Sequence, residues 1–139
     1  MTERRRVLGA AAMLACSALL ASGPAPAFDE AVDNCASLLG SLSKELRFAR
    51  ALAPGERTSF VCPRERETRA AIGASRERVL RALGTPDASG LDDAGATEWR
   101  YAFTSKLRDP DPVGAGYPVL GFHFGPTQQV ESVSCALGK

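Results

Sequence analysis

The sequence predicts an α+β domain, with two N-terminal helices packed on a three-stranded antiparallel sheet. Three observations carry that prediction. From Asp29 to Ala53 the apolar residues recur at alternating gaps of three and four, the period of a helix burying one stripe. Ser75 to Pro86 reads as a short capped helix with a hard stop. Beyond it, three segments alternate apolar and polar residues, as half-buried strands do. Helices first and strands afterwards set the helices on one face of the sheet.

Residues 1–27 are expected to be a signal peptide. Arg4-Arg5-Arg6 is a basic start, Val7 to Ala21 is uncharged and largely apolar, and Ala25-Pro26-Ala27 offers small residues at the cleavage site. The apolar run is shorter than the roughly 20 residues a membrane-spanning helix needs. Met13-Leu14-Ala15-Cys16 loosely resembles a lipobox, so a lipid anchor on Cys16 is the alternative. The run continues past it through Leu19-Leu20-Ala21, which favours cleavage after Ala27 and a mature chain beginning at Phe28. Residues 28–139 then form a single domain, expected in the periplasm. Removing the leader takes away three Arg and one Glu, leaving 14 basic and 15 acidic residues. That balance gives no electrostatic case for nucleic acid or an anionic membrane surface.

The first helix carries Val32, Cys35, Leu39, Leu42, Leu46, Ala49 and Ala53 on its apolar stripe, and Pro54-Gly55 ends it. Lys44, Arg47 and Arg50 lie toward its C-terminal half, where positive charge complements the helix dipole. Residues 56–63 are extended, and Arg64 to Arg69 alternates charge as a solvated connector or helix start. In the second helix Ser75 is the N-cap, Val79 and Leu83 form the buried stripe, and Gly84 and Pro86 stop it. Asp87 to Thr97 reads as a surface loop. Trp99, Tyr101 and Phe103 share one face of the first strand. Leu120, Phe122 and Phe124 share one face of the second, and Val133, Cys135 and Leu137 one face of the third. Ser105 to Tyr117, with its Asp-Pro-Asp-Pro and Gly-Ala-Gly, is a long polar connection.

The run Gly73-Ala74-Ser75, Val79, Leu83-Gly84-Thr85-Pro86 and then Trp99-Arg100-Tyr101 resembles the SmpA/OmlA (BamE-like) periplasmic family. That family's pattern is Gly-Met-Thr, Val, Leu-Gly-x-Pro and Trp-x-Tyr. The likeness spans residues 72 to 135, and Ala74 departs from it where the family has Met. The resemblance implies a non-catalytic envelope protein that binds other proteins, its partner an envelope or outer-membrane protein. A role in outer-membrane protein assembly or envelope integrity goes with it. The alternative is a secreted inhibitor or ligand-binding module on the same scaffold, which also resembles the repeat of β-lactamase inhibitory proteins.

The chemistry-bearing residues are few. No Gly-rich phosphate loop, nucleophile elbow or metal-ligand spacing occurs, so no enzyme, cofactor or metal is expected. His123, the only histidine, falls on the polar face of its strand with no local motif to give it a nucleophile or carboxylate. Asp92-Asp93 and Asp109-Pro110-Asp111 read as solvated loop acids. Arg76, Arg78 and Arg81 make one side of the short helix basic, and with Asp109 and Asp111 in the long loop they are the candidate partner-binding residues. Three cysteines follow the leader, which in an oxidising compartment means one disulfide and one thiol left over. The expected pair is Cys35–Cys62, with Cys135 free and Cys62–Cys135 the next choice. From Cys35 the helix climbs roughly 27 Å to Ala53 at about 1.5 Å per residue. The extended residues to Cys62 can return about 30 Å.

Overall fold

The computed structural model describes residues 26–105 and 116–138. Residues 1–25, Cys16 among them, and Asp109 and Asp111 lie outside the described residues. Helix α1 runs Pro26–Arg50, α2 Glu65–Thr68, a 3-10 turn Arg69–Ala71, and α3 Arg76–Leu83. Strands β1 (Ala88–Leu91), β2 (Thr97–Ala102), β3 (Tyr117–Phe124) and β4 (Val130–Gly138) follow. They form one antiparallel sheet in the order β1-β2-β3-β4. The α+β class is therefore right, with three α-helices and four strands among the described residues where two and three were expected.

The additional strand comes from the segment read as a surface loop. Ala-Ser-Gly-Leu has little strand propensity and all four residues are exposed. Its pairing is imposed by the turn that follows. Asp92 Oδ1 accepts hydrogen bonds from the amides of Ala94 and Ala96, both at 2.9 Å. Gly95, at φ 80°, supplies the left-handed step that closes the hairpin onto β2.

Helix α1 begins and ends three residues before the periodicity suggested. Its stripe of Cys35, Leu39, Leu42, Leu46 and Ala49 is buried, whereas Ala53 lies beyond the helix and is exposed. Arg47 and Arg50 occupy its last turn. The side chain of Ser75 accepts the Arg78 amide at 3.2 Å, as an N-cap does, and Val79 and Leu83 point inward. Gly84, at φ 78°, returns its amide to the Leu80 carbonyl at 2.8 Å.

Antiparallel pairing sets Tyr101, Leu120 and Cys135 side by side across three strands, with Trp99, Phe122 and Val133 in the next row. Tyr101, Phe103, Leu120, Phe122 and Phe124 are buried beneath the helices. Trp99, expected in the core, is half-buried and packs edge-on against Phe124 with centroids 4.9 Å apart. Leu137, expected to align with Val133 and Cys135, is 70% exposed at the end of β4.

Arg76 explains the incomplete burial of Trp99. It lies on the inward stripe of α3 beside Val79, with its guanidinium carbon 5.3 Å from the Phe124 centroid and 5.8 Å from that of Trp99. Its Nε is buried with no hydrogen-bond partner among the described residues. The expected basic face is thus divided. Arg76 covers aromatic rings, Arg78 is half-buried, and Arg81 is exposed.

A disulfide joins Cys62 to Cys135, with the Cα atoms 5.6 Å apart, and Cys35 is disulfide-bonded as well, so the expected leftover thiol is not found. This corrects both the Cys35–Cys62 pairing and the free Cys135. The chain after α1 returns along the helix, but Cys62 faces the sheet. Phe60 stacks on Phe103 with centroids 3.8 Å apart, and this draws residues 60–62 over the end of the sheet beside Cys135. Cys35 is fully buried on α1, and no cysteine of the described chain is a free thiol.

The cross-link closes a span of 73 residues. In the chain-entropy model such a loop contributes about 4.5 kcal/mol. Cys135→Ala should therefore lower the unfolding free energy by up to roughly that amount, measured by urea denaturation, and reductant should have no further effect on the variant's Cys62. Leu83→Ala should cost about 2–5 kcal/mol, against less than about 0.5 kcal/mol for exposed Arg81→Ala. Equal losses in the same titration would mean that α3 presents its other side to the sheet.

Candidate functional site

The helices cover one face of the sheet, and the other face carries a polar cluster. Strand alternation places Glu98, Arg100 and Ala102 outward on β2, with Val119, Gly121 and His123 outward on β3. Ser132, Ser134 and Ala136 lie outward on β4. The register makes two cross-strand rows, Glu98–His123–Ser132 and Arg100–Gly121–Ser134. The β1–β2 turn then brings Asp92 over the imidazole.

His123 Nδ1 lies 2.8 Å from Asp92 Oδ2, and its Nε2 lies 2.9 Å from Ser134 Oγ. Glu98 Oε1 stands 3.9 Å from the same Nε2. Glu98 also pairs with Arg100, Oε1 to Nε at 3.1 Å and Oε2 to Nη2 at 3.2 Å. The His123, Asp92 and Glu98 side chains are 18%, 17% and 11% exposed, so this chain of contacts is largely withdrawn from water.

The protonation pattern follows from Asp92. Its carboxyl is held below the usual carboxylate value, first by the His123 hydrogen bond and then by the Ala96 amide, with the Ala94 amide adding a smaller contribution. An ionised carboxylate can only accept, so Nδ1 carries the proton toward it. In the neutral imidazole Nε2 is then an acceptor, and the Ser134 hydroxyl donates to it. Carboxylate, imidazole and hydroxyl are thereby lined up in the order that polarises a serine oxygen.

Gly121 is the reason they fit. A methyl group there would stand 2.7 Å from both Glu98 Oε1 and Ser134 Oγ, and 3.4 Å from His123 Nε2. The absent side chain leaves a small recess with those three groups around it.

A second feature lies on the helical side. A cleft of about 480 Å³ runs between α1 and residues 60–70. Leu38, Leu42, Phe60 and Pro63 form its apolar wall, and Glu45, Glu67 and Arg66 its charged rim. Phe48, 68% exposed, continues the same side of α1 one turn beyond Glu45, and Val61, 78% exposed, follows Phe60.

The candidate residues of the sequence are thus dispersed. Arg76, Arg78 and Arg81 meet neither the polar cluster nor the cleft, and Asp109 and Asp111 lie outside the described residues. His123 takes the polar face as expected, but it has the carboxylate and hydroxyl partners that no local motif announced. Asp92 is not a solvated loop acid. Ser134 and Glu98 were missed, because their only signal is the shared phase of three strands, and phase becomes contact only once the pairing register is known. No protein-family model, characterised protein or solved structure matches the chain.

If the His123 bond is the main influence on Asp92, His123→Ala should raise the Asp92 pKa toward its ordinary value, read from carboxyl chemical shifts in an NMR titration. A depressed folded-state pKa contributes stability above the unfolded value and loses it as pH falls through the folded one. An unmoved Asp92 titration would make the turn amides its main partners.

Proposed function

We propose that this chain is an exported, BamE-like envelope protein that binds another protein through the cleft between α1 and residues 60–70. The observation that carries the reading is the cleft itself. Leu38, Phe60 and Pro63 are only half-buried in its wall, and Phe48 and Val61, close to them in sequence, are exposed; grouped apolar exposure marks protein contact sites. Its rim sets two carboxylates, Glu45 and Glu67, against the single guanidinium of Arg66. The fitting partner is therefore an apolar segment flanked by a basic residue, taken from a periplasmic or outer-membrane protein.

Export is compatible with the Cys62–Cys135 disulfide, since such bonds persist in oxidising compartments. Among the described residues no helix is long and apolar enough to cross a membrane. The SmpA/OmlA likeness supports the assembly role only through its residues. Gly73, Ser75, Val79, Leu83 and Gly84 occupy scaffold positions, which carry a fold further than an activity.

The test is site-specific photo-crosslinking in intact envelopes from Ser41 in the cleft and from Thr127 in the β3–β4 turn. The expected result is one outer-membrane assembly protein captured from Ser41 and not from Thr127. That capture should disappear in a Leu38→Glu variant of unchanged melting temperature. Equal capture from both positions, or capture that survives Leu38→Glu, would place recognition elsewhere.

A further inference from the structure

The polar cluster lies on the sheet face opposite the helices and takes no part in the cleft. Its parts differ in chemistry, and their order is informative. We propose that Asp92, His123 and Ser134 form an acyl-transfer centre in which Ser134 is the nucleophile toward carboxylic esters.

The three elements of an activated hydroxyl are in contact. Ser134 Oγ is 2.9 Å from Nε2, the nitrogen that can accept its proton when Nδ1 donates to Asp92 at 2.8 Å. Ser134 is exposed on β4, whereas the imidazole that serves it is mostly covered. The recess over Gly121 adjoins both Oγ and Nε2 but is too tight for a methyl, whose carbon would stand 2.7 Å from Oγ, so an acyl group must approach Oγ from its solvent side. Arg100 shares the row of Gly121 and Ser134, and its guanidinium pairs with Glu98, which offsets the carboxylate that lines the recess.

In the first step Ser134 Oγ bonds to the ester carbonyl carbon while its proton passes to His123 Nε2. The carbonyl π electrons move onto oxygen. Asp92 and Glu98 oppose the new imidazolium charge. Collapse re-forms the carbonyl and breaks the ester C–O bond, and Nε2 returns the proton to the departing alkoxide. A water molecule then repeats the sequence on the acyl-serine. It releases the carboxylic acid and restores the hydroxyl, so one ester and one water become one acid and one alcohol.

Ser132 is an internal control, because it is exposed on the same strand and face, directly across from His123, and has no hydrogen bond of its own to the imidazole in this geometry. The full disulfide-bonded protein is incubated with p-nitrophenyl acetate, and acetylation is mapped by peptide mass spectrometry with nitrophenol release followed in parallel. The expected result is acetyl-Ser134, with both readouts falling at least about 100-fold in His123→Ala and unchanged in Ser132→Ala. Should His123→Ala not fold, Asp92→Asn, which preserves shape but removes the carboxylate that fixes the tautomer, must show the same loss. Acetylation of Ser134 no faster than of Ser132, or undiminished in a folded His123 or Asp92 variant, overturns the proposal.

Discussion

Tyr101 is the point on which the remaining geometry depends. Its ring is fully buried at the centre of β2 and meets Phe122 edge-on, with centroids 5.9 Å apart. A buried phenol needs a hydrogen-bond partner, and its hydroxyl donates to the Gly84 carbonyl at 2.9 Å. That one bond ties the C-terminus of α3 to the middle strand pair. Burial is the chief cause that raises its pKa well above the ordinary phenol value, so it remains a donor across the physiological range. With Tyr101 held inward, β2 has only one phase available. Glu98 and Arg100 must then face outward, and β3 must present His123 to the same side.

Asp87 supports the same strand from its edge. Its carboxylate accepts the Ala102 amide at 2.7 Å and pairs with Arg50 at 3.2 Å, and its own amide donates to the Arg100 carbonyl at 2.9 Å. The end of α1, the entry to β1 and the body of β2 thus meet at one side chain. Ser105 adds a 2.6 Å bond to the Leu52 carbonyl, joining the chain just beyond β2 to the chain just beyond α1. Each bond joins segments far apart in sequence, and together they fix the sheet against the helices.

What could be read in the sequence was what is local. The Ser75 cap, the Gly84 stop, the inward stripe of α1 and the alternation of β2 and β3 each lie within a few residues of one another, and each is present. What could not be read depends on pairing. Strand β1 exists because Asp92 and Gly95 fold it onto β2, against the preference of its own four residues. Reach along the helix favours a Cys35–Cys62 pair, but the Phe60–Phe103 stack that decides where Cys62 lands joins residues 43 positions apart. Arg76, a candidate partner-binding residue by charge, has a spacing from Val79 that already puts it on the inward side. The polar cluster is the extreme case, for its four residues come from three strands and a turn.

The outermost strand of a sheet is where a misdirected neighbour would add itself. At the start of β4 that position is already taken. Gly73 donates to the Val130 carbonyl and Val130 to the Ala74 carbonyl, both at 2.8 Å, and Ser75 bridges to Gln129. Farther along, Cys135 is tied to Cys62, and exposed Glu131 sets a charge near the closed end. A recruited chain cannot zip along β4 from its first rung, and it would have to begin midway beside a cross-link. The short segment before α3 thereby serves as a built-in obstacle to edge-to-edge aggregation.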